Sequence, residues 1–298
     1  LDCLFNPGFT TPVLARCPHV TVFHDLQHKR HPEFFRWWDL PFWRIFLRAS
    51  ATTSQHLIAV SEATKRDLLH FYGLPEERIT VVPHGVDQAF LTMQPEPDRE
   101  RPYLLCVSTL HPHKNIERLV EVFSQLRLER PELRLVLAGM RGFHAETVER
   151  KIEELGLRDS VEITGWISQE RLHELYRQAS AFVYPSTFEG FGMPVLEAMA
   201  AGVPLACSSI EPLRALADGV AELFPPDDSD AMLRAVRDAL AGYSAVRARV
   251  RAAQLTWEAC AEKTLSVLIE QSGGRRGAVG DAAATLPPAP SGAHTRQH

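Results

Sequence analysis

Short apolar segments alternate with longer amphipathic segments along most of this 298-residue chain, and this alternation constrains the fold more than any other feature. In the second half the predicted strands are 103–108, 133–139, 161–165, 181–185 and 203–209. The predicted helices between them are 115–130, 144–155, 169–178 and 194–201. Because each helix carries the chain back to the same end of the sheet, the pattern predicts an α/β fold with a parallel, doubly wound sheet.

The first part of the chain repeats this pattern and predicts a second sheet of the same kind. Strand-like and helix-like stretches occur in 20–25, 56–73 and 79–85. The polar, proline-bearing stretch 91–102 then interrupts the pattern, and such a composition is typical of a linker between domains. The sequence therefore predicts two domains of this kind joined by a linker.

We divide the chain into four parts on this basis. They are an N-terminal domain at 1–95, a C-terminal domain at 96–255, a helix at 256–271, and a tail at 272–298. The tail is rich in Gly, Ala and Pro and contains no aromatic residue, so we expect it to be disordered.

Composition excludes several classes of function. The net charge of −5 gives no basic field for nucleic acid, and no apolar run approaches the roughly 18 residues that suggest a membrane span. The five cysteines are scattered and form no Cys-x-x-Cys pair, which favours reduced thiols over a disulfide or zinc framework. We therefore expect a cytoplasmic protein that does not bind nucleic acid.

The segment 189–197, EGFGMPVLE, joins a predicted strand to a predicted helix and has a carboxylate at each end. Gly190 and Gly192 allow a ligand to approach the backbone, and the helix N-terminus favours an anion such as phosphate. Ionised Glu189 and Glu197 accept hydrogen bonds, so their natural partners are hydroxyl groups on either side of that phosphate. A nucleotide sugar has this shape. The alternative is an ordinary helix start with a solvated Glu189 and a structural Glu197.

A second loop, STLHPHKN at 108–115, follows the first strand of the C-terminal domain and also opens a helix. Because ligands of open parallel sheets lie outside the carboxyl ends of the strands, both loops belong to one edge. Lys114 is a point charge suited to a diphosphate there. The alternative is a lysine on a solvated turn.

These segments resemble the retaining glycosyltransferases of family 4, which have the GT-B fold. The likeness extends from STFEGFGMPVLEAMAAGVP (186–204) and STLHPHKN to SEATKRDLLHFYGLPEERITVVPHGVD (61–87) and HDLQHKRHPEFF (24–35). It implies transfer of a hexosyl group from a nucleotide-diphosphate sugar to a glycan or lipid-linked acceptor, with retention of configuration. The resemblance also implies two Rossmann-like domains that face a cleft. The first domain, incomplete at 1–95, would face the acceptor, the second, 96–255, would bind the donor, and the helix at 256–271 would pack back on the first domain. We favour GDP-mannose over UDP-glucose and UDP-N-acetylglucosamine.

The resemblance also implies roles for individual residues. Glu197 would hold the ribose hydroxyls and Glu189 the hydroxyls of the donor sugar. Lys114 would hold the diphosphate, and His24 would point from the first domain toward the donor sugar. The backbone of Gly190, Phe191 and Gly192 would lie along the sugar and the phosphates. No metal and no cofactor is expected.

The chain departs from the family pattern at two places. His113 occupies a position where members of the family often carry an arginine, so we expect weaker neutralisation of phosphate there. Only about twenty residues precede His24, although a typical first domain has several strands before this motif. We therefore expect an N-terminally truncated chain that binds donor weakly without turnover. The alternatives are a non-catalytic nucleotide-sugar-binding fragment and, less favoured because it needs no Lys114, a glycoside hydrolase.

Two further segments have competing interpretations. DDSD at 227–230 contains an Asp-x-Asp pattern that binds metal in other glycosyltransferases, but we interpret Asp228 or Ser229 as a helix N-cap. In EFFRWWDLPFWRIFLR at 33–48, an apolar stripe lies at helical spacing beside arginines. Its residues are Phe34, Phe35, Trp38, Phe42, Ile45 and Phe46. Such a face contacts a membrane peripherally or forms core, and we favour core.

Overall fold

The computed structural model describes residues 1–242 and 245–273, and these residues form two parallel sheets with helices around them. The strands are β1 (Leu4–Asn6), β2 (His19–Phe23), β3 (His56–Ala59), β4 (Ile79–Val81), β5 (Tyr103–Val107), β6 (Arg134–Ala138), β7 (Val161–Gly165), β8 (Ala181–Tyr184), β9 (Leu205–Ser208) and β10 (Glu222–Phe224). The prediction of parallel α/β sheets is confirmed.

The helices connect successive strands and pack on the faces of the sheets. They are α1 (Gln27–Arg30), α2 (Leu40–Thr53), α3 (Glu62–Tyr72), α4 (Gln88–Thr92), α5 (Ile116–Glu129), α6 (Ala145–Glu154), α7 (Gln169–Gln178), α8 (Met193–Ala201), α9 (Leu213–Ala217), α10 (Ser229–Ala241), α11 (Ala245–Ala252) and α12 (Trp257–Gln271). Within the described residues, none of these helices is long and apolar enough to cross a membrane.

The second sheet has six strands in the order β10-β9-β8-β5-β6-β7. Strand β6 pairs with β5, and β7 pairs with β6, so these strands extend the sheet in one direction. The next strand in the sequence, β8, pairs with the opposite edge of β5. This order creates a topological switch point between β5 and β8, where the helices that follow the two strands leave on opposite faces. The switch point positions the site described below.

The first sheet has four strands in the order β1-β2-β3-β4. Alternate residues of its central strands face opposite sides, as the two-residue period of a strand requires. Phe23 and Leu57 pack on the side of α2 and α3, whereas Val20 and Ile58 pack on the other side, against Val267 of α12. The final described helix therefore covers the first sheet, although it follows the second sheet in the chain.

The segments that connect the two sheets run side by side. The Val86 amide donates to the Leu255 carbonyl at 2.9 Å, and a Cβ on Gly85 would lie 2.1 Å from the Trp257 nitrogen. Phe90 of α4 lies in the core of the second sheet. That core thus includes residues before 96, the predicted start of the C-terminal domain, because α4 packs against it.

Most predicted elements occur within one or two residues of their predicted bounds, but the interpretation of 33–48 as core is wrong. Trp37, Phe42 and Ile45 are 79%, 64% and 66% exposed, and of α2 only Leu47, Ser50 and Ala51 are buried. Leu47 and the small residues Ser50 and Ala51 are buried, whereas the large residues of the predicted stripe on α2 are exposed. Asp228 caps α10 by accepting from the Ala231 amide at 2.8 Å, which confirms the N-cap interpretation. Most of the predicted disordered tail, 274–298, lies outside the described residues.

Candidate functional site

A cleft of about 550 Å³ opens at the carboxyl ends of β5 and β8. Both domains line it, and among its lining residues are six that the sequence predicted: His24, Lys114, Glu189, Gly190, Phe191 and Gly192. The seventh, Glu197, lies one turn inside α8 and does not line this cleft. The topological switch point and the predicted site therefore coincide.

Lys114 and Glu189 form an ion pair inside the cleft. The Lys114 ammonium donates to Glu189 Oε1 at 2.6 Å and to the Tyr184 hydroxyl at 2.9 Å. Both charged side chains are largely covered, at 14% and 12% exposure. An ammonium has three N–H donors, so one of them remains for a ligand while both contacts are kept.

Tyr184 belongs to the site, although sequence reasoning counted it as part of a buried strand. Burial, and secondarily the charge of Glu189, raises the pKa of its phenol well above the ordinary value. The hydroxyl thus stays protonated while it accepts from Lys114. Its position at the last residue of β8 was the available signal, because side chains at the carboxyl ends of central strands face the crevice.

Glu197 is held by a second buried phenol. The Tyr176 hydroxyl donates to Glu197 Oε2 at 2.8 Å. Burial raises the pKa of Glu197 to about 7, and the hydrogen bond from Tyr176 opposes this rise only in part. At neutral pH the carboxyl therefore populates both its charged and its neutral form, unlike an exposed glutamate.

Helix α8 begins directly after the glycine-rich turn, and its geometry requires both glycines. Gly192 has a φ of +103°, and a Cβ there would lie 2.3 Å from Leu213 Cδ2. A Cβ on Gly190 would lie 1.8 Å from the His24 carbonyl oxygen. The turn of the second domain thus touches the backbone of the first domain, and this contact joins the two walls of the cleft.

His24 is held in one tautomer by its two ring contacts. Its Nε2 lies 2.9 Å from the Pro7 carbonyl oxygen, which only accepts, so Nε2 carries the proton in the neutral ring. Nδ1 then accepts from His84 Nε2 at 3.3 Å. Burial, and secondarily His24, lowers the pKa of His84 to about 4, so His84 is neutral at pH 7. The sequence did not predict His84, although it lies in the quoted motif 61–87.

His113 makes a contact between domains and carries no charge at neutral pH. Gln27 Nε2 donates to its Nδ1 at 2.9 Å, and Phe34 of the first domain lies 5.8 Å from its ring centroid. Burial, with Lys114 as a smaller cause, lowers the pKa of His113 to about 3. His113 thus connects the two domains and contributes no positive charge for binding a phosphate.

Comparison with known proteins gives two family matches that together cover both domains. Residues 87–255 match the family described as Glycosyl transferases group 1, and residues 4–90 match the family described as Glycosyltransferase Family 4. The first match alone covers more than half of the chain.

Curated relatives include two mannosyltransferases. The chain is 28% identical over 263 residues to O-antigen chain mannosyltransferase B of Escherichia coli, covering 83% of this chain and 69% of that protein. It is 30% identical over 266 residues to MMP alpha-(1->4)-mannosyltransferase of Mycolicibacterium hassiacum, covering 83% and 64%. The chain thus spans about two thirds of the length of these relatives.

Solved structures show the same fold. The structure of Anabaena HepE in complex with UDP and glucose matches with a TM-score of 0.72 at 20% identity, covering 85% of this chain and 72% of that one. The predicted GT-B architecture of two Rossmann-like domains around a cleft is therefore confirmed. The family matches, together with the cleft at the switch point, show that the chain belongs to the group 1 glycosyltransferases, within family 4.

Proposed function

We propose that this chain carries the donor site of an enzyme that transfers a hexosyl group from a nucleotide-diphosphate sugar with retention of configuration. The observation that carries the proposal is the Lys114–Glu189 ion pair at the switch point, with Glu197 one helical turn further on. A cation and two carboxylates around a glycine-rich helix start match a ligand with a central diphosphate and a hydroxylated ring at each end.

The nucleotide half of the donor lies over α8 in this proposal. The ribose hydroxyls donate to Glu197, whose hydrogen bond from Tyr176 leaves further lone pairs available. The diphosphate takes the free N–H donor of Lys114 and the N-terminus of α8 beyond Gly192. These groups stabilise the negative charge that develops on the diphosphate as the glycosidic bond breaks, so we expect transfer without a divalent cation.

The sugar half lies between the two domains. Glu189 accepts from its hydroxyls, the backbone of Gly190 and Phe191 runs along the ring, and His24 closes the site from the first domain. His24 Nδ1 is the ring acceptor in the ligand-free site, bonded to His84. A sugar hydroxyl that replaces His84 would donate to this same nitrogen, so His24 orients the ring without a change of tautomer.

The names of the relatives favour mannose, and GDP-mannose is our preferred donor. One relative is an O-antigen mannosyltransferase, which fits a glycan or lipid-linked acceptor, whereas HepE was solved with UDP and glucose. A calorimetric panel of GDP-mannose, UDP-glucose and UDP-N-acetylglucosamine tests the choice. Binding of GDP-mannose at least about tenfold tighter than the two UDP-sugars supports it. Binding of none of the three would contradict the donor site itself.

A non-catalytic nucleotide-sugar-binding role is the second candidate. Its support is that the donor residues described above come mainly from the second sheet and its loops, so they do not require a complete acceptor domain. A transfer assay on this chain and on the chain extended at its N-terminus separates the two functions. Transfer by the extended chain alone supports an enzyme whose donor site resides here. Donor binding without transfer by either chain supports the binding role.

The exposed aromatic face of 33–48 supports a further proposal, that the protein contacts a membrane peripherally. Trp37, Trp38, Phe42, Trp43, Ile45 and Phe46 are all more than 40% exposed. The segment 27–48 contains five Lys and Arg residues and only two acidic residues, although the whole chain has a net charge of −5. An aromatic face bordered by cations suits an anionic lipid surface.

Vesicle sedimentation tests this contact. We expect the chain to bind phosphatidylglycerol vesicles more than phosphatidylcholine vesicles, and the variant Phe42→Ser/Ile45→Ser to lose about tenfold in binding. Leu128→Ser is the matched control, because Leu128 is 87% exposed on α5, away from this face. Equal binding by the variant and the control would overturn the proposal.

A further inference from the structure

Two hydroxyl groups at the start of α3 connect the walls of the cleft. Ser61 Oγ donates to the Gly190 carbonyl at 2.6 Å. Thr64 Oγ1 lies 3.2 Å from the His24 carbonyl oxygen and 3.3 Å from the Gly190 carbonyl oxygen. Both residues belong to the first domain, whereas Gly190 belongs to the second. The contact therefore joins backbone of both domains at the point where they meet most closely.

Counting donors assigns one hydroxyl to each carbonyl. A hydroxyl has a single proton, and the shorter distance from Ser61 to Gly190 gives that acceptor the Ser61 proton. The Thr64 proton is then left for the His24 carbonyl, which lies slightly closer than the Gly190 carbonyl. Ser61 and Thr64 are only 7% and 2% exposed, so water does not replace either hydroxyl.

The hydroxyl pair also explains how two carbonyl groups tolerate this approach. A Cβ on Gly190 would lie 1.8 Å from the His24 carbonyl oxygen, so the two main chains are in direct contact. Carbonyl oxygens are acceptors only, and without donors between them this contact would leave both without partners. Ser61 and Thr64 supply those donors from a rigid helix start, where Ser61 Oγ also accepts from the Thr64 amide at 3.1 Å.

We propose that Ser61 and Thr64 are positioning residues that fix the 189–191 turn against His24 and thereby set the geometry of the donor-sugar subsite. The proposal rests on the proposed function for its link to the sugar. Gly190 is the neighbour of Glu189, so holding its carbonyl holds the carboxylate beside Lys114. Phe191, on the other side, has its ring 5.3 Å from that of His84, the partner of His24.

Thr64→Val and Thr64→Ser separate the hydroxyl from the shape of the side chain. Valine keeps the volume and removes the donor, whereas serine keeps the donor. We expect Thr64→Val to weaken nucleotide-sugar binding about tenfold while free nucleoside diphosphate binding changes by less than about threefold. Thr64→Ser restores the wild-type value. A residue that merely supported the fold would weaken both ligands together and would not give this split.

Ser61→Asp tests the other hydroxyl without removing the helix cap. Aspartate accepts from the Thr64 amide as an N-cap but has no proton for the Gly190 carbonyl at neutral pH. Because it also places a charge against that oxygen, we expect nucleotide-sugar binding to fall by at least about tenfold. Ser168→Ala is the control, since Ser168 caps α7 on an exposed surface by accepting from the Arg171 amide at 3.3 Å.

Amide hydrogen exchange tests the positioning independently of any ligand. We expect exchange at 189–192 to rise at least about tenfold in Thr64→Val and Ser61→Asp, and not in Thr64→Ser or Ser168→Ala. If exchange rises in the two variants but the wild-type chain binds no nucleotide sugar, the proposed function is contradicted and the positioning role is supported. Wild-type exchange together with wild-type ligand selectivity in both variants would overturn the inference.

Discussion

Replacing Glu189 by glutamine removes one charge from the Lys114–Glu189 pair and keeps the shape of the side chain. In the proposed complex, Glu189 accepts from hydroxyls of the donor sugar. A hydrogen bond to a charged acceptor stabilises by about 1.5–3 kcal/mol, so nucleotide-sugar binding should weaken by roughly 10- to 150-fold. The side chain is only 12% exposed, which places the effect toward the upper part of that range because water compensates little.

The free nucleoside diphosphate responds differently. It has no sugar for Glu189 to hold, and Lys114 loses a competing carboxylate 2.6 Å from its ammonium. We therefore expect its affinity for Glu189→Gln to be equal to or greater than that for the wild type. Glu197→Gln should weaken both ligands, because the ribose is present in both.

Isothermal titration calorimetry of both ligands against both variants measures these four affinities. Glu174→Gln is the matched control, because Glu174 pairs with Arg171 at 2.6 Å on an exposed helix and should leave both affinities unchanged. Equal losses of both ligands in Glu189→Gln and Glu197→Gln would refute the assignment of one carboxylate to each ring.

Four other results are expected. Lys114→Ala should reduce transfer on the order of 10²–10³-fold in a chain that turns over. Excess EDTA should leave wild-type transfer unchanged. Loss of transfer in EDTA and its rescue by Mn²⁺ would contradict the metal-free mechanism. Folding raises the pKa of Glu197 from 4.5 to about 7. The contribution of Glu197 to stability is therefore present below pH 4.5 and lost as pH rises through 7. Because ligand hydroxyls favour the carboxylate form, the Glu197 carboxyl should release its proton when the ligand binds. Calorimetry in two buffers of different ionisation enthalpy detects this release, which Glu197→Gln should abolish. Gly190→Ala would place a Cβ 1.8 Å from the His24 carbonyl oxygen, so it should abolish transfer while sparing free nucleoside diphosphate binding. Gly242→Ala is the control, because its Cβ would meet nothing within 4 Å and the change should be neutral. Transfer by Gly190→Ala at the wild-type rate would contradict the closed geometry.

The sequence predicted the sheets and the donor loops because both depend on local patterns. Apolar runs alternate with amphipathic ones, and the glycine-rich turn between β8 and α8 is visible in nine residues. The partners of these loops were not predictable in the same way. The partners of Gly190, His113 and Glu197 are Ser61, Gln27 and Tyr176, which lie 129, 86 and 21 residues away along the chain. The local sequence around these partners shows only a helix cap, a short helix and an amphipathic helix.

The aromatic segment shows why burial was harder to predict than helix position. Its spacing indicated a helix within 33–48, and α2, Leu40–Thr53, contains only the second half of that segment. Periodicity identifies an apolar face but not what covers it. The buried side here consists of Leu47, Ser50 and Ala51, whereas Phe42 and Phe46 are exposed. Which face of the helix packs on the sheet depends on contacts between distant segments, and a local pattern does not record them.

The Lys114–Glu189 pair has a consequence for what happens after the sugar has left. In the proposed complex the diphosphate takes only the free N–H donor of Lys114, and the contact to Glu189 at 2.6 Å is kept. The charge of Lys114 is then shared between a carboxylate of the protein and the spent diphosphate. We expect this sharing to weaken the hold on the leaving nucleotide and to favour product release over product inhibition.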